Sequence, residues 1–446
     1  MFRSDTSLRR LTTFGVCALP LLTFTLPSRW EAVTIASLDP LAMVKLVILL
    51  IVFFGGTALI LARIGDRSSR AVLRPLVPFY LFFAWAVLSL LWTPRPAVSI
   101  GQAGGLASLL VLASLVALLT RGQDRIESMM RLLVRMLFVF SVFVLVVHLA
   151  FPDLSGLNRR LMMGGHSGIV HPTAAGANAS LGLLACVLCL FVGRYTWSLR
   201  AAILGSLVHG AVLYVANSRM ALLMAAVTVG LVLFVYAGNV VRAAAISIFA
   251  LGLITVVLID PSFASVLDPK SSTVQYLTRG QSARQLSQVS GREEMWTKVW
   301  QEFTKSKWIG HGYFITSETG ELEVWSMKTN HPAHNIQLQI LVSTGVIGMA
   351  LFTAAMANLF FHLIRLTGGA PRQRAFAAAL AVFALWYLGW SLLCTSFMGP
   401  VRSESVLFFA LIGIGIGQLS RLPDRPRRQA RRRPLPEFSL RQGQVL

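Results

Sequence analysis

Apolar runs of roughly 18 residues or more recur along this chain from end to end, and each is long enough to cross a hydrocarbon core about 30 Å thick. They lie near 11–27, 41–62, 75–92, 100–120, 134–151, 173–193, 201–216, 220–237, 243–259, 336–362, 375–395 and 404–419. This pattern predicts an all-α, polytopic membrane protein of about twelve transmembrane helices. Composition agrees, because 13% of the residues are charged, against roughly 25% in a soluble domain. An A-x-A-like cleavage site is missing after the first run, so that run is expected to be an uncleaved span.

The net charge of +22 does not imply a nucleic-acid partner. The basic residues fall in short clusters between apolar runs, which suits loops beside anionic lipid. With a cytoplasmic N-terminus, the inside loops hold Arg63, Arg67, Arg70 and Arg74, then Arg121, Arg125, Arg131 and Arg135. Arg194, Arg200, Arg242, Arg365, Arg372, Arg374 and the tail from Arg421 follow the same parity. The expected organisation is nine helices over 1–259, a large extracytoplasmic loop at 260–335, three helices over 336–420 and a basic tail at 421–446. Cys17, Cys186, Cys189 and Cys394 all sit in apolar runs, where helix packing explains them and no disulfide framework is implied.

The long loop holds most of the chemistry-bearing groups. Ser290-Gly-Arg-Glu293 fits a capping box that opens a helix near 291–305. Trp296, Val299, Trp300 and Phe303 form its apolar stripe, and Arg292 lies on the same face in the first turn. A guanidinium at a helix N-terminus suits phosphate, or alternatively a snorkelling contact with lipid. The loop ends in His331-Pro-Ala-His334-Asn335, and a span begins at once. On a continuous helix His334, Leu338, Leu341, Gly345 and Gly348 share one face, and the glycines invite a second helix to pack closely. An imidazole there either takes a hydroxyl proton or serves as an interfacial hydrogen-bonding group. Asn217-Ser218-Arg219 separates two spans on the same side, so Arg219 joins Arg292 and His334 at one face. Two arginines facing one histidine suggest a diphosphate site with a hydroxyl nucleophile beside it.

Taken together, these elements resemble the O-antigen ligase and O-antigen polymerase superfamily, which includes exopolysaccharide polymerases. His334-Asn335 followed after nine residues by Gly345-Val-Ile-Gly348 resembles its H-N-x9-G-x-x-G signature. Ser218-Arg219, Gly291-Arg292 with Trp296, and Gly310-His-Gly312 resemble its S-R, G-R-x-x-x-W and G-x-G elements. The resemblance implies a C-type glycosyltransferase-like fold in a bacterial inner membrane, with the active site on the periplasmic side. It implies inverting transfer of a glycan from an undecaprenyl-diphosphate carrier to an acceptor hydroxyl, on a lipid A core or another lipid-linked glycan. It further implies that Arg219 and Arg292 hold the diphosphate, that His334 activates the acceptor, and that neither a metal nor a cofactor is required. His331 and Asn335 are expected to contact substrate. Arg159 and Arg160, in the 152–172 loop, are expected to hold the acceptor's phosphates or to meet lipid. Asp39 and Glu31 are a minor alternative for the base. The competing reading is a secondary transporter or a lipid or glycan flippase. A transporter is expected to carry its polar features near the midplane, whereas these gather at one face.

Overall fold

The computed structural model describes residues 2–26, 28–29, 40–121, 123–157, 166–191, 197–236, 238, 292–369 and 371–419. The expected span at 243–259, the loop up to residue 291, Glu31, Asp39, Arg159, Arg160 and the tail at 421–446 lie outside these residues.

The described chain is built of helices. The first is α1 (Phe2–Ala18), and α2 (Pro40–Ile64), α3 (Arg67–Leu91), α4 (Pro96–Leu119) and α5 (Gln123–Ala150) follow it. Next come α6 (Pro172–Phe191), α7 (Leu199–Ala216), α8 (Arg219–Tyr236) and the short loop helix α9 (Arg292–Lys305). The last three are α10 (Ile336–Thr367), α11 (Pro371–Ser391) and α12 (Ser403–Leu419). Among the described residues nine helices are long and apolar enough to cross a membrane, and α12 is a shorter apolar helix. The first helix starts earlier than its apolar run suggests. Pro20 has no N–H to continue the α-helical ladder, and the chain tightens into a 3-10 turn at Leu19–Thr23.

The core is a central set of helices ringed by lipid-facing ones. In α4 and in α6, 83% of the apolar window is buried, against 17% in α2. Small residues make the centre possible, since α4 and α12 approach closely along Gly413 and Gly417. A Cβ on Gly413 would stand 2.5 Å from the Ala113 carbonyl oxygen. Two ends of the bundle are then distinguishable. At one, Arg63 pairs with Asp5 at 3.0 Å, and Arg121 donates to Ser68 and Ser69 at 3.0 and 2.8 Å. At the other, β1 (Ser28–Arg29) pairs antiparallel with β2 (His166–Ser167), and the Ser403 N–H donates to Thr23 Oγ1 at 2.9 Å. The segment from Arg292 to Asn335 packs at this second end, where Trp92 Nε1 donates to the Gly310 carbonyl at 3.2 Å.

Candidate active site

The helix that follows His334 and Asn335 is broken. At Gly345 φ is 66° and ψ is −170°, a conformation reserved for glycine, so α10 stops and restarts there. The sequence reading of Gly345 as a helix-packing glycine is corrected here, since its close neighbour is a turn and not a second helix. A Cβ on it would lie 2.1 Å from the Trp308 carbonyl oxygen. A break inside a membrane protein leaves backbone groups that need partners, and the turn at 307–312 supplies most of them. The His311 and Gly312 N–H groups donate to the Val342 and Ser343 carbonyls, both at 2.9 Å. The Val346 and Ile347 N–H groups donate to the Lys307 and Trp308 carbonyls at 2.8 and 3.3 Å. Trp85 Nε1 donates to the Thr344 carbonyl at 2.9 Å. The glycine turn and the broken helix are therefore one unit, although they lie more than thirty residues apart in sequence.

A small second core holds α9 against the start of α10. Met295, Val299 and Phe303 bury one face of α9 against β3 (Leu322–Val324), Ala333 and Val342. The buried stripe is rotated from the predicted one: Met295 belongs to it, Trp296 is half-buried at its edge, and Trp300 is half exposed. The decisive contact is Trp296 Nε1, which donates to the Ala333 carbonyl at 2.8 Å. It ties the helix carrying Arg292 to the residue just before His334. From the other side the Gln339 side chain accepts the Ala333 N–H at 2.8 Å, and its amide donates to Ser343 Oγ at 3.0 Å.

His334 does not lie on the helix. It precedes the N-cap in the left-handed region, with φ of 48°. Asn335 is the cap: its Oδ1 accepts the Leu338 N–H at 2.9 Å, and its Nδ2 donates to the Leu392 carbonyl at 3.1 Å. Asn335 thus joins α10 to the turn after α11, and both side-chain groups serve the fold. His331 sits beside Trp325, ring centroids 5.7 Å apart.

The charges converge on His334. Burial pushes its imidazole down to about 4, and Arg292, Arg402, His171 and His331 each push the same way. The ring is therefore neutral at pH 7. Arg292 is itself drawn below its ordinary value by burial, and the Arg219 charge adds to this. Among the described residues Arg292 makes no ion pair. Asn217 closes α7 in the left-handed conformation with φ of 42°, which lets α8 start at once with Arg219 in its first turn. Ser218 is buried against Gly176 of α6, where an added Cβ would stand 2.7 Å from the Ser218 Cβ. The structure so brings Arg219, Arg292 and His334 into one electrostatic neighbourhood. Arg159 and Arg160 fall outside the described residues.

Arg402, just before α12, was missed by the sequence reading. Its signal was an arginine on the side of the bundle that the charge parity leaves poor in arginine. Cys394 is also here, in the turn after α11 and not inside a span, and burial pushes its thiol up to about 12. Such a group carries a guanidinium cluster for an anion and a neutral imidazole beside it.

The O-antigen ligase family matches the chain over residues 201–353, about a third of its length. The matched segment contains Arg219, Arg292, His334 and both glycines of the broken helix. No curated protein matches the chain significantly.

Proposed function

We propose that this chain, which that match supports as a member of the O-antigen ligase and polymerase superfamily, is a membrane glycosyltransferase working at the end of the bundle that holds His334. The donor is a glycan on undecaprenyl diphosphate, the acceptor is a hydroxyl of a glycolipid or of another lipid-linked glycan, and the site faces the periplasm of a bacterial inner membrane. The arrangement that supports this most is the imidazole of His334 in the field of Arg292 and Arg402, with Arg219 acting on Arg292.

The acceptor oxygen bonds to the anomeric carbon from the face opposite the diphosphate. The anomeric C–O bond to the diphosphate breaks, and its electron pair leaves on the diphosphate oxygen. The hydroxyl proton passes to His334, and the anomeric configuration inverts. Arg219 and Arg292 meet the charge that grows on the leaving group, in a site dry enough for that charge to matter. With its pKa lowered, His334 is a weak base. Burial is the main reason its pKa is low and persists with donor bound, but a bound diphosphate offsets the Arg292 and Arg402 charges that add to it, so the pKa rises. The base is strengthened when the donor is present.

A reconstituted assay tests this reading. Protein in liposomes receives lipid-linked repeats with and without a lipid A core. A ladder from repeats alone identifies a polymerase, and a single shift that needs the core identifies a ligase. Absence of transfer with either acceptor refutes the reading.

A further inference from the structure

The opposite end of the bundle holds a cavity of about 800 Å³ between α2, α3 and α4. Its walls are apolar: α2 contributes Phe53 and Ile60, α3 contributes Val77 and Phe83, and α4 contributes Ala107 and Val111. The volume lies within the range of small-molecule sites. It has room for on the order of 25 waters, but such walls offer few hydrogen bonds to hold them. The helix α2 is adapted to this space, because a π turn at Ile51–Gly55 interrupts its regular ladder where Phe53 meets the cavity.

Charge marks the mouth. Arg67, Arg70 and Arg74 line the cavity, spaced by three and four residues so that they share one face. Their neighbours Arg63 and Arg121 are matched, to Asp5 and to Asp66 with its two serines. Among the described residues no acidic side chain pairs with Arg67, Arg70 or Arg74. Three such guanidiniums beside an apolar chamber match the two halves of one kind of molecule.

The geometry points to a binding site for an anionic glycerophospholipid, its phosphate at Arg67, Arg70 and Arg74 and its acyl chains in the cavity between α2, α3 and α4. This site is separate from the His334 cluster and independent of the transfer chemistry. The lipid packs against α2 where Phe53 of the π turn meets the cavity and so braces α2, the least buried of the described spans, against the core.

Native mass spectrometry on the full-length protein in detergent tests this, with phosphatidylglycerol or phosphatidylcholine of identical chains added in equal amounts. The wild type is expected to retain phosphatidylglycerol in preference to phosphatidylcholine. The triple variant Arg67→Gln, Arg70→Gln, Arg74→Gln is expected to retain about a hundredfold less. Thr57→Trp, which puts a bulky ring into the cavity and leaves every arginine in place, is expected to lower retention as well. Equal retention of the two lipids by the wild type overturns the proposal, and so does wild-type retention by either variant. In a second arm that adds undecaprenyl phosphate and phosphatidylglycerol in equal amounts, preferential capture of undecaprenyl phosphate overturns the assignment to a bilayer phospholipid.

Discussion

Replacing Gly345 by alanine tests the broken helix, because the structure separates its effect from that of the neighbouring Gly348. At Gly345 the new Cβ meets backbone: the Trp308 oxygen at 2.1 Å, its carbonyl carbon at 2.2 Å and the Ile309 nitrogen at 2.5 Å. No side chain can rotate away, so the 307–312 turn must move. A non-glycine residue in this conformation costs about 1–3 kcal/mol by itself. Displacing the turn also exposes four backbone hydrogen bonds, worth on the order of 1 kcal/mol each. The sum, roughly 5–7 kcal/mol, is comparable to the whole stability of many domains. At Gly348 the clash is with one side chain and no neighbouring turn: Thr344 Cβ lies at 2.4 Å, so the helix must give locally, and Thr344 Oγ1 lies at 2.0 Å and must turn away. That move gives up its bond to the Ile340 carbonyl, about 1 kcal/mol. At Gly101, on an open face of α4, nothing lies within 4 Å, and alanine there is expected to be neutral or mildly stabilising. Thermal unfolding of the purified variants in detergent, followed by circular dichroism, should rank Gly101→Ala at or above wild type, then Gly348→Ala, then Gly345→Ala far below. Equal midpoints for the Gly345 and Gly348 variants would refute the turn-in-helix account.

Trp296→Phe keeps the ring and removes the N–H that holds the Ala333 carbonyl, so kcat should fall about tenfold with little change in donor KM. A parallel rise in KM on measured transfer kinetics would point to donor binding and against positioning of His334. The transfer reaction needs neutral His334, so activity is present above its pKa and lost as pH falls through it. In the free protein that pKa is about 4, and it should be higher once donor binds. The acid limb of kcat should therefore lie at higher pH than that of kcat/KM, and coincident limbs contradict the electrostatic argument. Removing a positive charge near the imidazole raises its pKa, so Arg402→Ala should move the kcat/KM limb to higher pH while Arg402→Lys leaves it in place. Transfer should persist in EDTA, and recovery only on adding a divalent ion would overturn metal independence.

Much of the fold was legible because hydrophobic length carries it. The apolar runs correspond to helices wherever the chain is described, and the arginine parity puts Arg63 and Arg121 at one end of the bundle. What was not legible depends on backbone sign and on distant packing. Glycines three apart read alike whether they seat a neighbouring helix or break their own, and only the positive φ at Gly345 separates the two cases. The stripe on α9 was drawn through Trp300 because tryptophan is large and apolar, but the space under the helix takes Met295 and leaves Trp300 at the surface. Within the site, Arg219, Arg292 and His334 were visible as residues at one face, each beside a recognisable helix end. Arg402 was not, since it reaches the others through the α11–α12 turn, which Asn335 pins by its bond to the Leu392 carbonyl.

Single-turnover transfer by wild type and His334→Ala in liposomes, with donor binding measured on the same preparations, tests the role of His334 as the base. Unchanged or tighter donor binding is expected in the variant, with transfer reduced by about 10²–10⁴-fold. Transfer at the wild-type rate by His334→Ala, with the protein folded and inserted, would contradict that role.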